Sequence, residues 1–163
     1  HMKIFPAIDT VLFKSNSKKL LHSPLRILTV GRLTWIKGYE YALKALSVLK
    51  KKQINFEYHI VGEGNYREAI KYAIHQLKLT DNIILKGQIS HERVKQEMEW
   101  ADIYIQPSIQ EGFCNAVLEA QAMGLICIVT NAEGLSENII HRETGWVIPK
   151  RSSKVLANKI IEI

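Results

Sequence analysis

The sequence predicts the α/β fold class, with a parallel sheet covered by helices on both faces, and three observations support this. Short runs that are nearly all apolar, such as RILTVG at Arg26–Gly31 and ICIVT at Ile126–Thr130, are typical of strands buried on both faces. A longer segment with helical periodicity follows nearly every run. The 163 residues, of which 47% are hydrophobic, are enough for one sizeable core. Because parallel strands are joined by right-handed crossovers, we expect a doubly wound, Rossmann-like sheet.

Turn and capping residues delimit the elements in chain order. Ser90 is placed to cap the helix that begins at His91, and Ser136 is expected to cap a short helix that ends at Ile140. The predicted strands are Arg26–Gly31, Phe56–Val61, Asn82–Lys86, Ile103–Gln106, Ile126–Thr130 and Gly145–Ile148. The other predicted helices are Tyr39–Lys52, Tyr66–Leu77, His91–Trp100, Ala116–Met123 and Ser153–Ile163.

The residues before the first strand, 1–25, are expected to be a cloning scar followed by an interdomain linker. They begin with His-Met, which is typical of a cloning site. An apolar cluster from Ile4 to Phe13 comes next, and then a polar run over Lys14–Lys19. This pattern indicates a linker packed against a domain, and the domain itself is expected to span residues 26–163.

Composition narrows the class of protein. The formal net charge of +6 favours an anionic ligand, an anionic membrane surface or nucleic acid, although an ordinary lysine-rich surface is the plainer explanation. Basic and aromatic residues do not interleave, so nucleic acid is not expected as a partner. No apolar run reaches the ~18 residues of a membrane-spanning helix. Cys114 and Cys127 lie in apolar contexts and are expected to be reduced thiols of a cytoplasmic protein.

The stretch EGFCNAVLE, Glu111–Glu119, is the strongest candidate for a site. It follows an apolar strand and a Pro-Ser turn, so Gly112–Asn115 are expected to supply the unpaired amides of a helix start, which attract anions. Glu111 is expected just outside the helix start, and by helical spacing the step from Glu111 to Glu119 would separate the carboxylates by about 12 Å along the axis and about 80° around it. This spacing suits an extended ligand with an anionic middle, such as a nucleoside diphosphate sugar. The alternative is that Glu111 only favours the helix dipole and that Glu119 is solvated.

A second group of candidates lies where the first predicted strand ends, because ligands of open α/β sheets bind outside the carboxyl ends of the strands. The turn there contains Gly31 and Arg32, and Lys37 follows after a short loop. Two cations around a glycine-flanked loop suit a diphosphate. A cation such as Lys37 is unfavourable next to a helix start, where the helix dipole is positive, which argues that an anion binds there. The alternatives are a loop charge paired with a helix end and a solvated lysine.

The third strand ends in Gly87, Gln88 and Ile89, whose backbone groups are candidates to meet the edge of a nucleotide base; a plain turn is the alternative.

Other chemistries are not supported by the motifs of the sequence. The sequence contains neither GxGxxG after the first strand nor a Walker A motif, and it contains neither HExxH nor GxSxG. The scattered histidines do not predict a metal site, and His59 is expected to be a satisfied core histidine.

Taken together, the motifs resemble the C-terminal, donor-binding half of a retaining GT-B glycosyltransferase of family four. The resemblance covers the chain from Arg26 to its end, and IDTVLF before it resembles the interdomain linker. The motifs occur in family order: VGRLTWIKG (Val30–Gly38), VGEG (Val61–Gly64), LKGQIS (Leu85–Ser90), ADIYIQPSIQEGFCNAVLEAQAMG (Ala101–Gly124) and GLSENI (Gly134–Ile139).

The resemblance implies roles for the site residues. Arg32 and Lys37 would hold the donor diphosphate, Glu111 would bind the sugar hydroxyls, and Glu119 would bind the ribose hydroxyls. Arg32, Lys37 and Glu111 are therefore the expected catalytic residues. No metal or other cofactor is implied. Backbone amides near the sugar and the phosphates would come from Gly112, Phe113, Cys114 and Asn115.

Four positions depart from the pattern of the family. Cys114 stands where the family often has glycine, and Ile126 stands where it usually has proline. Glu133 and Ser136 occupy positions at which the family favours glycine and proline. These changes alter loop rigidity, and the ones at Cys114 and Glu133 bear on the choice of donor.

For the whole protein, the resemblance implies transfer of a hexose to a glycan or lipid-linked acceptor in the cytoplasm, with peripheral contact at the inner face of the membrane as one role for the basic surface. GT-B enzymes have a second, N-terminal domain that binds the acceptor, and this sequence does not include one. The chain alone is therefore not expected to turn over. Two other functions remain open: a nucleotide-binding or interaction module without catalysis, and a GT-B sugar-nucleotide epimerase, which fits the fold but not the glutamate spacing.

Overall fold

A computed structural model describes residues 7–15 and 20–163, and its centre is a six-stranded, all-parallel sheet. The strand order is β3-β2-β1-β4-β5-β6, so the chain builds outward from β1 to one side and then returns to β4 to build the other. The predicted doubly wound α/β fold is confirmed. The strands are β1 (Leu25–Val30), β2 (Phe56–Val61), β3 (Ile83–Gly87), β4 (Ile103–Gln106), β5 (Ile126–Thr130) and β6 (Trp146–Ile148).

The helices begin and end within one residue of the predicted bounds, with one exception. Where a short helix capped by Ser136 was predicted, the chain forms only a single 3₁₀ turn, Leu135–Glu137, and the Ser136 hydroxyl donates to the carbonyl of Glu133. The turn ends because the side chain of Asn138 is buried against the backbone of Cys114. The α-helices are α1 (Tyr39–Lys51), α2 (Arg67–Gln76), α3 (His91–Trp100), α4 (Asn115–Ala122) and α5 (Ser153–Glu162).

Two hydrophobic cores cover the two faces of the sheet. Successive residues of a strand point to opposite faces, so Ile27 of β1 joins one core and Leu28 joins the other. The first core packs against α1, α2 and α5, and the second packs against α3 and α4. Among the described residues, no helix has both the length and the apolarity that a membrane crossing requires. The apolar strand runs of the sequence are thus explained by burial from both sides.

The segment before β1 is anchored to the domain at two places. Phe13 is 1% exposed and lies in the second core, where its ring meets His91 edge-on at 5.9 Å. Further along, the buried Asp102 accepts a hydrogen bond from the backbone of Arg26 and lies 2.6 Å from Nδ1 of His22. The first strand begins at Leu25, one residue earlier than predicted. Residues 1–6 and 16–19, which include the start of the predicted apolar cluster and two lysines of the polar run, lie outside the described residues.

The prediction that His59 is a satisfied core residue is confirmed. Its Nδ1 lies 2.5 Å from Oε2 of Glu97, and its Nε2 lies 2.6 Å from Oε1 of Glu57. Its ring stacks on Trp100 with centroids 3.7 Å apart. Every polar atom of this imidazole is engaged by the fold, so we assign it a structural role.

Replacing Phe13 tests whether the segment before β1 is part of the folded unit. Phe13→Ala removes a ring that is buried in the second core, and such truncations cost about 3–5 kcal/mol of unfolding free energy. Val11→Ala is the control, because Val11 lies in the same segment but is 92% exposed. Urea unfolding at equilibrium measures both. Equal stability of the two variants would show that the segment does not contribute to the core.

Candidate functional site

The candidate site lies at the carboxyl edge of the sheet, where β1 and β4 are neighbours and the chain leaves them in opposite directions. The loops that follow these two strands are packed together backbone to backbone. The amide of Ile109 donates to the carbonyl of Ile36 at 2.7 Å. At Gly38, where φ is +67°, an added Cβ would lie only 2.1 Å from the carbonyl oxygen of Pro107. Only glycine permits this approach, so the two loops form one surface.

Lys37 and Glu111 form an ion pair across these two loops. The ammonium of Lys37 donates to Oε2 of Glu111 at 2.5 Å, and each side chain is 13% exposed. Lys37 is the last residue of a 3₁₀ turn, Trp35–Lys37, so it stands at the end of a helical turn as well as just before α1. Glu111 supplies a negative charge beside Lys37, so the position of this lysine does not by itself require an external anion, and the binding of an anion there stays a prediction.

Glu111 is held by two further side chains, Ser108 from the predicted Pro-Ser turn and Gln106, which the sequence analysis did not single out. The hydroxyl of Ser108 donates to Oε2 of Glu111 at 3.0 Å, and Nε2 of Gln106 approaches the same oxygen at 3.5 Å. Both residues are fully buried. The signal for them was a glutamine at the end of the otherwise apolar run IYIQPS, because a buried amide needs partners.

A cleft of about 350 Å³ lies beside the ion pair, at the ends of β1, β2 and β3. Four of the predicted site residues line it together: Gly31, Arg32, Gln88 and Ile89. The guanidinium of Arg32 is exposed, and no described residue pairs with it. Gly87 ends β3 next to this cleft with φ of +72°, and its carbonyl accepts from the amide of Gly62.

Gly31 connects the cleft to the ion pair. A Cβ added at Gly31 would lie 3.8 Å from Nζ of Lys37 and 3.6 Å from its Cε. These are ordinary contact distances, so the empty fold would tolerate a methyl group there. Burial raises the pKa of Tyr39, whose hydroxyl therefore stays protonated and donates to the carbonyl of Gly31 at 3.1 Å. The strand end is thus fixed beside the ammonium of Lys37.

The helix α4 starts one residue before the predicted position. The helix begins at Asn115 with Cys114 as its N-cap, so Gly112 and Phe113 precede it. The amide of Cys114 is already used, because it donates to Oδ1 of Asn138 at 3.3 Å. Gly112 is open, since an added Cβ would meet nothing within 4 Å. Glu111 lies outside the helix, so the helical distance and angle predicted between the two glutamates do not apply.

Both cysteines are buried free thiols, as the sequence predicted. Burial raises the pKa of the Cys114 thiol, and it raises the pKa of Cys127 to about 12. Neither thiol is ionised near neutral pH. Cys114 therefore serves the site through its backbone and its volume, and not as a nucleophile.

Glu119 lies on α4, and its residue is only 8% exposed. No described residue donates a hydrogen bond to its carboxylate. Burial raises the pKa of this carboxyl, and the nearby His91 lowers it by a smaller amount. The binding of a ligand by Glu119 stays a prediction. A buried acid without a hydrogen-bonding partner costs stability, which is typical of a residue kept for a ligand.

No three His, Cys, Asp or Glu side chains in the described parts of the chain lie close enough to hold a metal ion. The expectation that no metal is required stays a prediction.

Comparison with known proteins identifies what this chain is similar to. The family model described as "Glycosyl transferases group 1" matches residues 13–163. The amylovoran biosynthesis glycosyltransferase AmsK of Erwinia amylovora is 35% identical over 162 residues, which cover 96% of this chain and 40% of that protein. This chain therefore spans about two fifths of the length of that relative.

Solved structures share the fold. The C-terminal domain of a group 1 glycosyl transferase, LpcC, of Francisella tularensis superposes with a TM-score of 0.82 at 24% identity, covering 96% of this chain and 87% of that one. Anabaena HepE, solved in complex with UDP-glucose, superposes with a TM-score of 0.85 at 21% identity, covering 98% of this chain and 46% of that one. These two likenesses concern the fold alone, and they place the sheet among the Rossmann-like domains of GT-B glycosyltransferases.

The raised pKa of Glu119 predicts a stability change with a defined pH dependence. Above its pKa in the fold, Glu119 pays a desolvation cost that an unfolded chain avoids, and below the usual glutamate value of about 4.5 both states are protonated and the cost vanishes. Glu119→Gln should therefore raise the unfolding free energy at pH 7.5, and the gain should shrink as the pH falls towards 4.5. Urea unfolding across this range is the measurement.

Glu92→Gln is the matched control for this prediction. Glu92 is exposed, and its own backbone amide and the Ser90 hydroxyl lower the pKa of its carboxyl, so its ionised form favours the fold. The control should lose stability at neutral pH and lose less as the pH falls. If both variants changed stability in the same direction, burial would not be the cause of the shift at Glu119.

Proposed function

The chain belongs to the group 1 glycosyl transferases, and from that premise we propose that it is the donor-binding domain of a retaining hexosyltransferase. The donor is a nucleoside diphosphate sugar, and the acceptor is a glycan or lipid-linked glycan of a polysaccharide biosynthesis pathway, as the name of AmsK suggests for that relative. One observation carries the proposal. Arg32 lines a cleft at the ends of β1, β2 and β3, the Lys37–Glu111 pair lies beside this cleft next to Gly31, and the carboxyl of Glu119 on α4 has no hydrogen-bonding partner among the described residues.

The diphosphate of the donor would bind between Arg32 and Lys37. The guanidinium of Arg32 is unpaired and lines the cleft, so it is available to a phosphate at no cost to the fold. Lys37 would exchange all or part of its contact with Glu111 for the anion. Gly31 carries no side chain, which leaves room for a phosphate close to the lysine ammonium.

The two glutamates would recognise the two polyol ends of the donor. Glu111 stands next to Lys37 and would accept hydrogen bonds from the sugar hydroxyls. Glu119 would accept hydrogen bonds from the ribose, which would satisfy its buried carboxylate. The exposed strand end at Gly87–Ile89 would meet the edge of the base through backbone groups. The open backbone at Gly112 would lie near the sugar and the phosphates.

In the reaction, the bond between the anomeric carbon and the leaving phosphate oxygen breaks, and an acceptor hydroxyl attacks from the same face. The acceptor proton passes to the leaving phosphate oxygen, so charge and atoms balance without a protein nucleophile. Negative charge grows on the diphosphate as the bond breaks, and Arg32 and Lys37 are positioned to stabilise it. Glu111 orients the sugar. The cysteine nearest to this centre, Cys114, is a neutral thiol and takes no part.

The acceptor site is proposed to lie on an N-terminal domain of the full protein, since this chain spans 40% of the length of AmsK. Closure of two domains around the donor would exclude water from the reacting centre. The buried free thiols fit a reducing, cytoplasmic compartment. Contact of the basic surface with an anionic membrane face stays a prediction.

Removing the charge of Arg32 tests the diphosphate site. Arg32→Gln should weaken the binding of UDP, or of whichever nucleoside diphosphate binds best, by about 1.5–3 kcal/mol, as expected for a hydrogen bond to a charged group. The binding of the bare nucleoside should not change. Lys52→Gln is the control, because it removes the same charge at the C-terminal end of α1, which lies at the opposite edge of the sheet. Isothermal titration calorimetry measures the affinity of both variants. An equal loss of affinity in the control would show that the effect of Arg32→Gln comes only from the change in net charge.

The two glutamates are expected to act on different parts of the donor. Glu119→Gln should weaken the binding of UDP, GDP and ADP alike, because each of these nucleotides contains a ribose. Glu111→Gln should leave the bare nucleotides almost unchanged and remove the gain in affinity that the attached sugar provides. The measurement is titration of each variant with a nucleotide and with its sugar conjugate. The same effect of both variants on bare nucleotides would disprove the two-ended assignment.

A further inference from the structure

Gln106 is the last residue of β4, and its side chain is 0% exposed. The three residues before it in the strand, IYI, carry apolar or aromatic side chains in the two cores. A buried amide that is left without partners costs more than it contributes, so its contacts need an explanation. Those contacts connect the interior of the sheet to the carboxylate of Glu111.

The chemistry of the partners fixes the direction of this chain of hydrogen bonds. An ionised carboxylate only accepts, so the hydroxyl of Ser108 donates its single proton to Oε2 of Glu111. The oxygen of Ser108 must then accept, and Nε2 of Gln106 donates to it at 2.9 Å. Oε1 of Gln106 faces the hydroxyl of Tyr104 at 2.8 Å. Because burial raises the pKa of Tyr104 well above its usual value, this hydroxyl remains a donor.

The two ends of this hydrogen-bonded chain also contact neighbouring strands. The carbonyl of Ser108 accepts from the hydroxyl of Thr130 at 2.5 Å, which ties the residue to β5. The hydroxyl of Tyr104 also lies 3.1 Å from the carbonyl of Val30, which ties it to β1. We refer to Tyr104, Gln106 and Ser108 together as the relay, because they pass hydrogen bonds from the sheet to Glu111.

The relay contacts only one oxygen of the carboxylate. Lys37, Ser108 and Gln106 all approach Oε2 of Glu111, at 2.5, 3.0 and 3.5 Å. Among the described residues, nothing hydrogen-bonds to Oε1 of Glu111. One oxygen of the carboxylate is thus held by the protein, and the other is left for a ligand.

The contact of Lys37 with Glu111 is the strongest of these three. Under the proposed function, however, a diphosphate would also bind to the ammonium of Lys37. Once the ammonium turns to the phosphates, Glu111 keeps only its neutral donors. The Ser108 hydroxyl and the Gln106 amide would then decide whether the carboxylate stays in place or follows the lysine.

We propose that Gln106 is a positioning residue for sugar recognition: acting mainly through Ser108, it holds Oε2 of Glu111 while Lys37 binds the diphosphate, and so keeps Oε1 available to a hydroxyl of the donor sugar. This inference rests on the proposed function. It predicts that the relay affects the binding of the attached sugar and does not affect the binding of the bare nucleotide.

The test uses the 163-residue chain and two matched ligand pairs, UDP with UDP-glucose and GDP with GDP-mannose. The measured quantity is the discrimination ratio, which is the dissociation constant of the bare nucleotide divided by that of its sugar conjugate. The main variant is Gln106→Met, which keeps the length of the side chain and removes its polar atoms. Tyr104→Phe is a milder second variant that removes only the hydroxyl at the start of the relay.

Tyr58→Phe is the matched control. Tyr58 is also a fully buried tyrosine in the same sheet, and its hydroxyl donates to Thr29 at 2.8 Å, away from Glu111. Both tyrosine variants therefore remove one buried hydroxyl from the sheet, and the Tyr104 hydroxyl contacts the carbonyl of Val30 as well as Gln106. A general loss of stability should affect them alike, whereas a loss of sugar positioning should appear only at Tyr104.

For the pair that the chain prefers, Gln106→Met should reduce the discrimination ratio about tenfold and leave the affinity for the bare nucleotide within twofold. Tyr104→Phe should reduce the ratio by a smaller factor, and Tyr58→Phe should not reduce it. An unchanged ratio in Gln106→Met, or a parallel loss of affinity for nucleotide and conjugate, would overturn the positioning role while leaving the proposed function intact.

A ratio of one for both pairs in the unsubstituted chain would instead overturn the assignment of Glu111 to the sugar, and the role of Gln106 with it. A measurement without ligand tests the relay itself. The side-chain amide protons of Gln106 should exchange slowly in NMR spectra, and their chemical shifts should move in Glu111→Gln. Rapid exchange of both protons would contradict the relay.

Discussion

The ion pair between Lys37 and Glu111 is the interaction on which the site depends. The two residues are 74 positions apart in the chain, and the pair forms because β1 and β4 are adjacent in the sheet. Each side chain is largely withdrawn from water, so the attraction between the charges has to offset a desolvation cost. Such pairs contribute little to stability on balance. Under the proposed function, their value is that a cation and an anion are held side by side next to the cleft, where they would separate when a ligand that carries both phosphate and hydroxyl groups binds.

Close packing of backbone against backbone keeps this arrangement in register. The loop after β1 meets the loop after β4 at Gly38, and the loop after β5 meets the latter at Gly134, where an added Cβ would lie 2.2 Å from the carbonyl of Gly112. The amide of Gly134 also donates to the carbonyl of Glu111 at 3.0 Å. Three strand ends therefore share one surface, and their relative positions are set by main-chain geometry rather than by side chains that can change rotamer. The side chains then add charge and hydrogen-bonding capacity to a fixed frame.

The local sequence pattern was sufficient to predict the fold, but it was not sufficient to predict the geometry of the candidate site. The apolar runs and the cap at Ser90 predicted the elements within one residue, because burial on both faces of a sheet imposes a simple pattern. The prediction failed at Ser136, where the buried contact between Asn138 and Cys114 stops a helix that local preference favours. Glu111 lies before the helix that carries Glu119, as predicted, but the helical spacing worked out between the two glutamates does not apply, because the residues from Glu111 to Cys114 are not helical. Gln106 could be predicted only as a polar residue in a buried strand, because the residues that it contacts were identified only by the folded structure.

The same ion pair affects how fast an anion reaches the cleft. The positive charge of the Lys37 ammonium is matched by the carboxylate of Glu111, so at a distance of more than a few ångströms their fields nearly cancel. An approaching anion is therefore attracted by the unpaired guanidinium of Arg32 and by the net charge of +6, and these long-range forces weaken as salt is added. Under the proposed function, Lys37 would act only after contact, when it turns away from the carboxylate of Glu111. The rate of encounter and the lifetime of the complex are thus governed by different cations, so ionic strength should affect association more than dissociation.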